Sequence, residues 1–375
     1  MSSGLIYSQA ALGIGQIVRS LYICRALVKF FEIDFLIGTP PINCSVDSPR
    51  FHLHQMPALW LSEWSDPPEL VDPEGIKTAE EIFVERKRYL ESFPLKPYDF
   101  LIIELFPFSK EKFRNEIEFL IKKLKAINPA CLVICSLRDI VGEKTVPEQK
   151  QIVELVNKYF DYIFVHSDPQ IITLRETFAM ASAIENKIFY TGYVSDPSFI
   201  FNLDERKKQI VISLGGGSYG LELPRSVVLA ALGLPEFQFL FLLGPKSPAL
   251  LREDLKLIKK TGNLENVQIS EFSPQFCNLL QKSSLSISLG GSTLVDIVKT
   301  QTPALVYPLA HVEHVLRARK FEALGLIKVL SLEDLIPENL CRLILQEMNH
   351  SFPNISLNLN GAEITALQIN NKIKN

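Results

Sequence analysis

Two stretches in one half of the chain end an apolar β-type run on a cluster of glycines: Val211-Ile-Ser-Leu-Gly-Gly-Gly-Ser218 and Ser286-Ile-Ser-Leu-Gly-Gly-Ser-Thr-Leu-Val-Asp296. The second is followed by Pro303-Ala-Leu-Val-Tyr-Pro308 and then by His311-Val-Glu-His-Val-Leu-Arg317. The order is that of a buried strand, a glycine turn opening a helix, a second strand, and a polar loop that returns a carboxylate toward the turn. Glycine lets the backbone approach a bound group closely, and the amides at a helix N-terminus favour an anion. A diphosphate is the expected guest. It would meet Gly215, Gly216, Gly217 and Ser218 at one turn, and Gly290, Gly291, Ser292 and Thr293 at the other, the two turns lying on neighbouring strands.

The rest of the chain repeats this rhythm. Short apolar runs bounded by turn residues alternate with amphipathic stretches, as in parallel sheets wound by helices. Strands are expected at 4–7, 35–38, 100–103, 131–135, 162–165 and 187–190, and again at 209–213, 239–243, 267–269, 285–288 and 304–307. The polar stretch 201–209 reads as a linker. The expected fold is therefore α/β, with two doubly wound Rossmann-like domains facing across a cleft. Residues 1–203 would form the first and 204–345 the second, followed by an Asn-rich, weakly helical tail, 346–375, that lies on the surface or crosses back to the first domain.

Composition narrows the function classes. With 47% hydrophobic and 22% charged residues the chain is an ordinary packed protein, and a net charge of -3 argues against a general nucleic-acid binder. No apolar run reaches the roughly 18 residues of a spanning helix. The N-terminus lacks the basic start of a signal peptide, so a cytoplasmic location is expected. The cysteines are dispersed without a CxxC pair and read as buried free thiols.

In open sheets of this kind ligands sit beyond the carboxyl ends of the strands. In the first half that rule selects Gly13, Gly15 and Gln16 with Arg19, then Glu104, Asp139 and His166. The two glycines free the backbone to wrap a substrate group, and Arg19 can reach an anion. A GxG turn is equally how any tight strand-to-helix connection is made. Glu104 lies between apolar runs, where burial raises a carboxyl pKa and suits it to proton transfer. The plainer reading is a carboxylate that holds its loop through amides or Arg114. Asp139 and His166 can bind an acceptor or act as bases, while Asp168, before Pro169, reads as a helix N-cap. In the second half Glu313 can accept from two ribose hydroxyls. His311 and His314 flank it with no third ligand nearby, and no Asp-x-Asp pair occurs, so neither a metal nor a cofactor is expected. The amphipathic stretch 110–125 suits peripheral contact with a membrane surface or simple core packing.

These residues carry a resemblance. The second half resembles the donor domain of the two-Rossmann-domain (GT-B type) glycosyltransferases, in particular the group that includes the peptidoglycan N-acetylglucosaminyltransferase. The matching pieces are Ser270-Glu-Phe272, Gly290-Gly-Ser-Thr-Leu-Val-Asp296, Pro303-Ala-Leu-Val-Tyr-Pro308 and Glu313-His-Val-Leu-Arg-Ala318. From residue 5 to 345 the chain is similar to bacterial predicted glycosyltransferases through Gly13-Ile-Gly15 with Arg19, Glu104-Leu-Phe-Pro-Phe108, Ser136-Leu-Arg-Asp-Ile140, Val165-His-Ser-Asp-Pro169 and Thr191-Gly-Tyr-Val194. The resemblance implies a hexosyltransferase that moves a sugar from a UDP-sugar to a small or lipid-linked acceptor, without metal and with inversion. It implies Phe272 against the base, Glu313 on the ribose and the glycine turns on the diphosphate, with Asp296 standing where glutamate is common. Acceptors would enter from the first domain.

One departure matters. Gln16 stands where these families carry histidine, and His314 where glutamine is common. An amide cannot take a hydroxyl proton, so another group must, and the candidates are Glu104, Asp139 and His166, with Glu104 expected. Two rivals remain on the same scaffold: a nucleotide-sugar hydrolase or epimerase, and a nucleotide-sugar-binding protein that lost catalysis. Acceptor choice is expected in the loops of 51–72, where His52, His54, Trp60 and Trp64 can stack on a sugar, cover a lipid or pack the loop.

Overall fold

The computed structural model describes residues 2–374 except 11–12, 42–44, 62–68, 203–204, 216–220, 245–246, 272, 274 and 309–311. The chain forms two compact units, one of Met1–Leu12, Gln16–Pro197 and Leu357–Asn375, the other of Gly13–Gly15 and Ser198–Ser356.

The first unit runs β1 (Ser3–Ser8), α1 (Gly15–Leu27), β2 (Glu32–Ile37), β3 (Phe51–Gln55), β4 (Trp60–Leu61), β5 (Leu70–Val71), α2 (Ala79–Ser92), β6 (Phe100–Glu104), α3 (Arg114–Ile127), β7 (Leu132–Arg138), α4 (Val146–Tyr159), β8 (Tyr162–His166) and β9 (Ile188–Tyr190). Seven of these strands form a parallel sheet in the order β3-β2-β1-β6-β7-β8-β9, and β4 pairs antiparallel with β5. Alternate side chains of β1 feed the two faces. Leu5 and Tyr7 join the cluster under α2, α3 and α4, and Ile6 joins the one under α1. Capping boxes start two of the helices, Thr78 with Glu81 at α2 and Thr145 with Glu148 at α4. The apolar stripe of α3, Ile117, Leu120, Ile121 and Leu124, is buried in that first cluster. It is therefore not available to a membrane surface, and core packing explains the amphipathic pattern.

Two departures from the expected strands have one cause. β3 lies on the sheet edge, where only one face of the strand must be apolar, and Phe51-His-Leu-His-Gln55 carries no continuous run. The short β4–β5 pair likewise falls in the stretch expected as acceptor loop.

A buried ion pair ties this unit together. Arg86 donates from Nε to Glu116 Oε2 at 2.9 Å and from Nη2 to Oε1 at 2.6 Å, while its Nη1 donates to Pro57 O at 2.8 Å and Gly38 O at 3.2 Å. Tyr7 donates its hydroxyl to the same carboxylate. The guanidinium thus pins the ends of β1, β2 and β3 to the helices behind them. A buried charge is tolerable because every neighbour supplies a partner.

The second unit runs β10 (Lys207–Ser213), α5 (Glu222–Ala230), β11 (Gln238–Leu242), α6 (Ala249–Thr261), β12 (Val267–Ser270), α7 (Phe276–Gln281), β13 (Ser283–Ser288), α8 (Thr293–Lys299), β14 (Ala304–Val306), α9 (Val312–Ala323), β15 (Lys328–Val329) and α10 (Pro337–Glu347). Its six strands are parallel in the order β12-β11-β10-β13-β14-β15. The two-residue β15 is too short to register in an apolar pattern. Arg206 takes the place of a clamp without a carboxylate: its guanidinium donates to the carbonyls of Ser283 (2.9 Å), Gln281 (3.1 Å), Thr300 (3.1 Å) and Gln301 (2.8 Å).

The last helix, α11 (Gly361–Lys374), belongs to the first unit, where Ala362, Ala366 and Ile369 join the cluster under α1. A β-carbon on Gly361 would stand 2.4 Å from Gly192 O, so only glycine admits this approach, and its amide donates to Tyr193 O at 2.9 Å. Asp168 helps to hold the segment. No α-helix starts at Asp168, in contrast to the N-cap reading. Its Oδ1 accepts from Gln170 N in a local turn and its Oδ2 from Asn358 N, both at 3.0 Å.

Candidate functional site

In each sheet the strand order reverses beside the first strand, and the loops on either side diverge there to leave a crevice. In the second unit the reversal falls between β10 and β13, whose ends are paired at Ser213 and Ser288. Both strands run directly into the glycine turns. Gly215 has φ 74° and Gly290 has φ 81°, a left-handed backbone that other residues enter only with strain.

The turn at Gly290 is enclosed on three sides. A β-carbon there would lie 3.4 Å from Val306 Cγ1, 3.5 Å from His314 O and 3.6 Å from Pro308 Cα. A β-carbon on Gly291 would lie 3.9 Å from His314 Nε2, so the first turn of α9 packs against the glycine turn. From the same helix the buried Arg317 donates from Nη1 to Gly290 O at 3.2 Å. Glu313 sits one turn before it, on the same face. Arg317 was not among the residues singled out by sequence, although its i+4 spacing from Glu313 was visible. Ser292 and Thr293 open α8, which has only seven residues, so the turn amides rather than a long helix dipole must carry any anion. Asp296 is buried on α8 and accepts from Cys277 Sγ at 3.5 Å. Gly216, Gly217, Ser218, Phe272 and His311 lie outside the described residues.

In the first unit the reversal falls between β1 and β6. Gly13 and Gly15 lead into α1, and Gln16 and Arg19 follow on one helical face. Arg19 Nη2 closes on Glu104 Oε1. Glu104 is therefore not the unpaired acid that its apolar flanks suggested, and Arg114 is not its partner, since that side chain bonds Glu118 at 2.7 Å. The other oxygen, Glu104 Oε2, accepts from Ser136 Oγ at 2.7 Å. Ser136 Oγ stands 2.9 Å from His166 Nε2, and His166 Nδ1 stands 2.8 Å from Thr191 Oγ1.

Proton counting fixes the direction at Ser136. A serine hydroxyl has one proton, and Ser136 gives it to the carboxylate, so His166 must donate from Nε2. Burial, with a smaller contribution from the Arg19 charge, holds His166 well below the usual imidazole range, which leaves the ring neutral with one proton. Nδ1 is then the accepting nitrogen, and the Thr191 hydroxyl that faces it shares its one proton with Gly192 O at 2.9 Å and Val165 O at 3.4 Å. Both ring nitrogens are engaged inside the protein, and the imidazole is buried. Asp139 is also buried, just past β7, beside Arg138, whose Nε donates to Ile140 O at 3.1 Å. The structure thus joins Arg19, Glu104 and His166 through Ser136 and Thr191, two residues that sequence reasoning did not assign. Gln16 presents a buried amide oxygen with no hydrogen-bond partner among the described residues.

His52 and His54 lie on β3, where His54 Nε2 contacts Asp34 Oδ1 at 2.6 Å. Trp60 is buried on β4, and Trp64 lies outside the described residues. The five described cysteines are free, four of them buried. Among the described residues no group of three or more His, Cys, Asp or Glu side chains is placed to hold a metal, and no helix is long and apolar enough to cross a membrane.

Residues 211–361 match the model of the glycosyltransferase family 28 C-terminal domain. A bifunctional protein of Helicobacter pylori, pseudaminic acid cytidylyltransferase and UDP-2,4-diacetamido-2,4,6-trideoxy-beta-L-altropyranose hydrolase, is 28% identical over 152 residues. That match covers 39% of this chain and only 26% of the relative's own length. Among solved structures, a calicheamicin glycosyltransferase superposes with a TM-score of 0.56 at 16% identity, covering 100% of this chain and 94% of its own. The UDP-GlcNAc 2-epimerase of Methanocaldococcus jannaschii superposes with a TM-score of 0.60 at 13% identity, covering 99% of this chain and 100% of its own. The fold is that of the GT-B enzymes, two Rossmann-like domains. The family 28 match falls almost wholly on the second of them.

Proposed function

We propose that the protein transfers a sugar from a UDP-sugar to an acceptor bound by the first unit, by direct displacement at the anomeric carbon. The observation that carries the reading is the pair of left-handed glycine turns at adjacent strand ends, Gly215 and Gly290, with Glu313 and Arg317 on the helix packed against the second. The turns would face the diphosphate, Glu313 the ribose hydroxyls, and Phe272 the base. Turn amides aimed at the phosphate oxygens would stabilise the departing UDP electrostatically, so no metal is required. Relatives among the solved structures were crystallised with UDP, such as the transferase of Siraitia grosvenorii, which supports uridine as the base.

Glu104 is the group we assign to take the acceptor proton in place of the absent histidine. It lies at the end of β6, at the reversal point of the first sheet, and Ser136 and His166 hold it in one orientation. Arg19 must yield part of its contact as the hydroxyl approaches. Calorimetric titration with UDP, GDP and dTDP, with and without magnesium, tests the donor site: UDP binding that needs no magnesium and is lost in Glu313→Ala is expected. No nucleotide binding at all would remove the transferase reading. For the acceptor side, Glu104→Gln should retain UDP affinity and lose turnover.

A second reading has its own support. Gln16 cannot act as a base, one solved neighbour is an epimerase, and the H. pylori relative carries a UDP-sugar hydrolase. Release of free sugar or of an altered UDP-sugar with no acceptor present would favour it over transfer.

A further inference from the structure

The tail that returns to the first unit docks on the turn at the far end of the polar chain that begins at Glu104. β8 ends on His166, Thr191 follows β9, and the two side chains face each other at 2.8 Å. Asn358 spans both strand ends. Its main-chain N donates to Asp168 Oδ2 at 3.0 Å, just past His166, and its Nδ2 donates to the Thr191 carbonyl at 3.3 Å. Its own carbonyl accepts from Tyr193 N at 2.8 Å, and its Oδ1 from Asn360 N at 3.2 Å. The fit leaves no slack. Gly192 has φ 83°, and a β-carbon there would stand 2.3 Å from Asn358 Cγ. The Gly192 carbonyl in turn abuts Gly361, and Ser195 Oγ donates to Leu359 O at 2.7 Å. All of these residues belong to the first unit.

The orientation of the Gly192 peptide bears on the chain through one proton. The Thr191 hydroxyl has a single proton, and His166 Nδ1 at 2.8 Å and Gly192 O at 2.9 Å both face it. While that proton serves Nδ1, the ring keeps its own on Nε2 and donates it to Ser136, which leaves the Ser136 proton for Glu104. A Gly192 carbonyl free to turn would take the Thr191 proton outright, set a lone pair against Nδ1, and favour the tautomer protonated there. We propose that Asn358 is a positioning residue for this chain: it pins the turn at 191–193 and thereby keeps His166 in the tautomer that serves Ser136 and Glu104. That Glu104 is a base so oriented rests on the transferase reading; the link from Asn358 to His166 does not.

The experiment follows the ring nitrogens of His166 by long-range 15N–1H correlation in the full chain, with His166→Gln identifying the signals. Two variants are compared with the wild type. Asn358→Ala loses the bonds to Thr191 and Asn360 made by the side chain, whereas Ile369→Ala removes a buried contact of α11 further along the tail and leaves the turn untouched. Asn358→Ala should move the proton ratio from Nε2 toward Nδ1 by about fivefold, the worth of one hydrogen bond. Ile369→Ala should lower the melting temperature without moving the ratio. An unmoved ratio in Asn358→Ala, or an equal shift in Ile369→Ala, overturns the proposal. Should Asn358→Ala not fold, amide hydrogen exchange in the wild-type chain decides: the Tyr193 amide, bonded to Asn358 O, should exchange as slowly as those of β8, and exchange as fast as that of exposed loops refutes the pinned turn. UDP affinity should be equal in all three chains, and its absence would count against the donor reading alone. If Glu104 is the base, conversion of a UDP-sugar should slow in Asn358→Ala with KM unchanged. A shifted ratio with turnover intact upholds the positioning of His166 and removes Glu104 from the reaction.

Discussion

At the reversal point of the first sheet the strand ends carry polar side chains bonded to one another, Arg19 to Glu104, Glu104 to Ser136 and Ser136 to His166. At the matching point of the second sheet they carry glycines in left-handed turns, braced by Arg317 on a backbone carbonyl. The supporting arginines differ in the same sense, since Arg86 is neutralised by Glu116 and Arg206 rests on carbonyls and the Thr302 hydroxyl. The second unit thus builds its crevice from backbone, which under the proposed transfer would suit a diphosphate common to many donors. The first builds its crevice from side chains, which under the same reading a few substitutions would retune for a particular acceptor.

The largest expected effect tests the supporting arginines. Glu116→Ala leaves Arg86 fully buried and without its carboxylate, and should cost about 3–5 kcal/mol in urea unfolding. Arg206→Met removes no charge partner and should cost roughly 1–3 kcal/mol. An equal loss in both would break the comparison.

Acid should act on the first unit through a second buried carboxylate. Asp34 accepts from Tyr98 Oη at 2.8 Å and from Lys96 Nζ at 3.1 Å and contacts His54; these bonds outweigh its burial and hold it at about 2. A carboxylate whose pKa is depressed in the folded state adds stability that is complete above its unfolded value, near 4, and lost as the pH falls through about 2. Wild-type stability should fall by about 2 kcal/mol over that window relative to Asp34→Asn, which has no such proton to gain. Parallel pH curves for the two proteins would refute the assignment.

On the donor side, Arg317→Ala should weaken UDP about tenfold in calorimetry, because the turn at Gly290 loses its brace while its glycines remain. Unchanged affinity would mean that the turn holds its shape by backbone alone.

What the sequence revealed follows the same division. Central strands such as β7 and β13 are buried on both faces and announce themselves as continuous apolar runs, and glycine turns after them are equally plain. Edge strands β3 and β15 gave no such run. Side-chain partnerships were hidden for a different reason: Arg19 and Glu104 are 85 residues apart, and they meet only because β1 lies beside β6, a strand order that alternation does not specify. Lys110 was absorbed into an expected helix, from which its left-handed backbone detaches it. Asp168 looked like a cap because a proline follows it, and nothing local signals a partner as distant as Asn358.

Ser136→Ala addresses the side-chain chain most directly. Ser136→Ala removes the hydroxyl that both donates to Glu104 and accepts from His166, which should cost about 1–3 kcal/mol, as two buried polar groups lose a partner. UDP affinity should not move, since no donor residue is touched. In the wild-type protein, 15N–1H spectra should show His166 neutral with its proton on Nε2; after the substitution that proton loses its acceptor, and the tautomer balance should shift toward Nδ1. A wild-type ring protonated on Nδ1 would reverse the direction assigned between Ser136 and His166 and draw the Ser136 proton away from Glu104. Glu104 would then keep Arg19 as its donor, and the contrast with the glycine turns of the second unit would rest on the arginines alone.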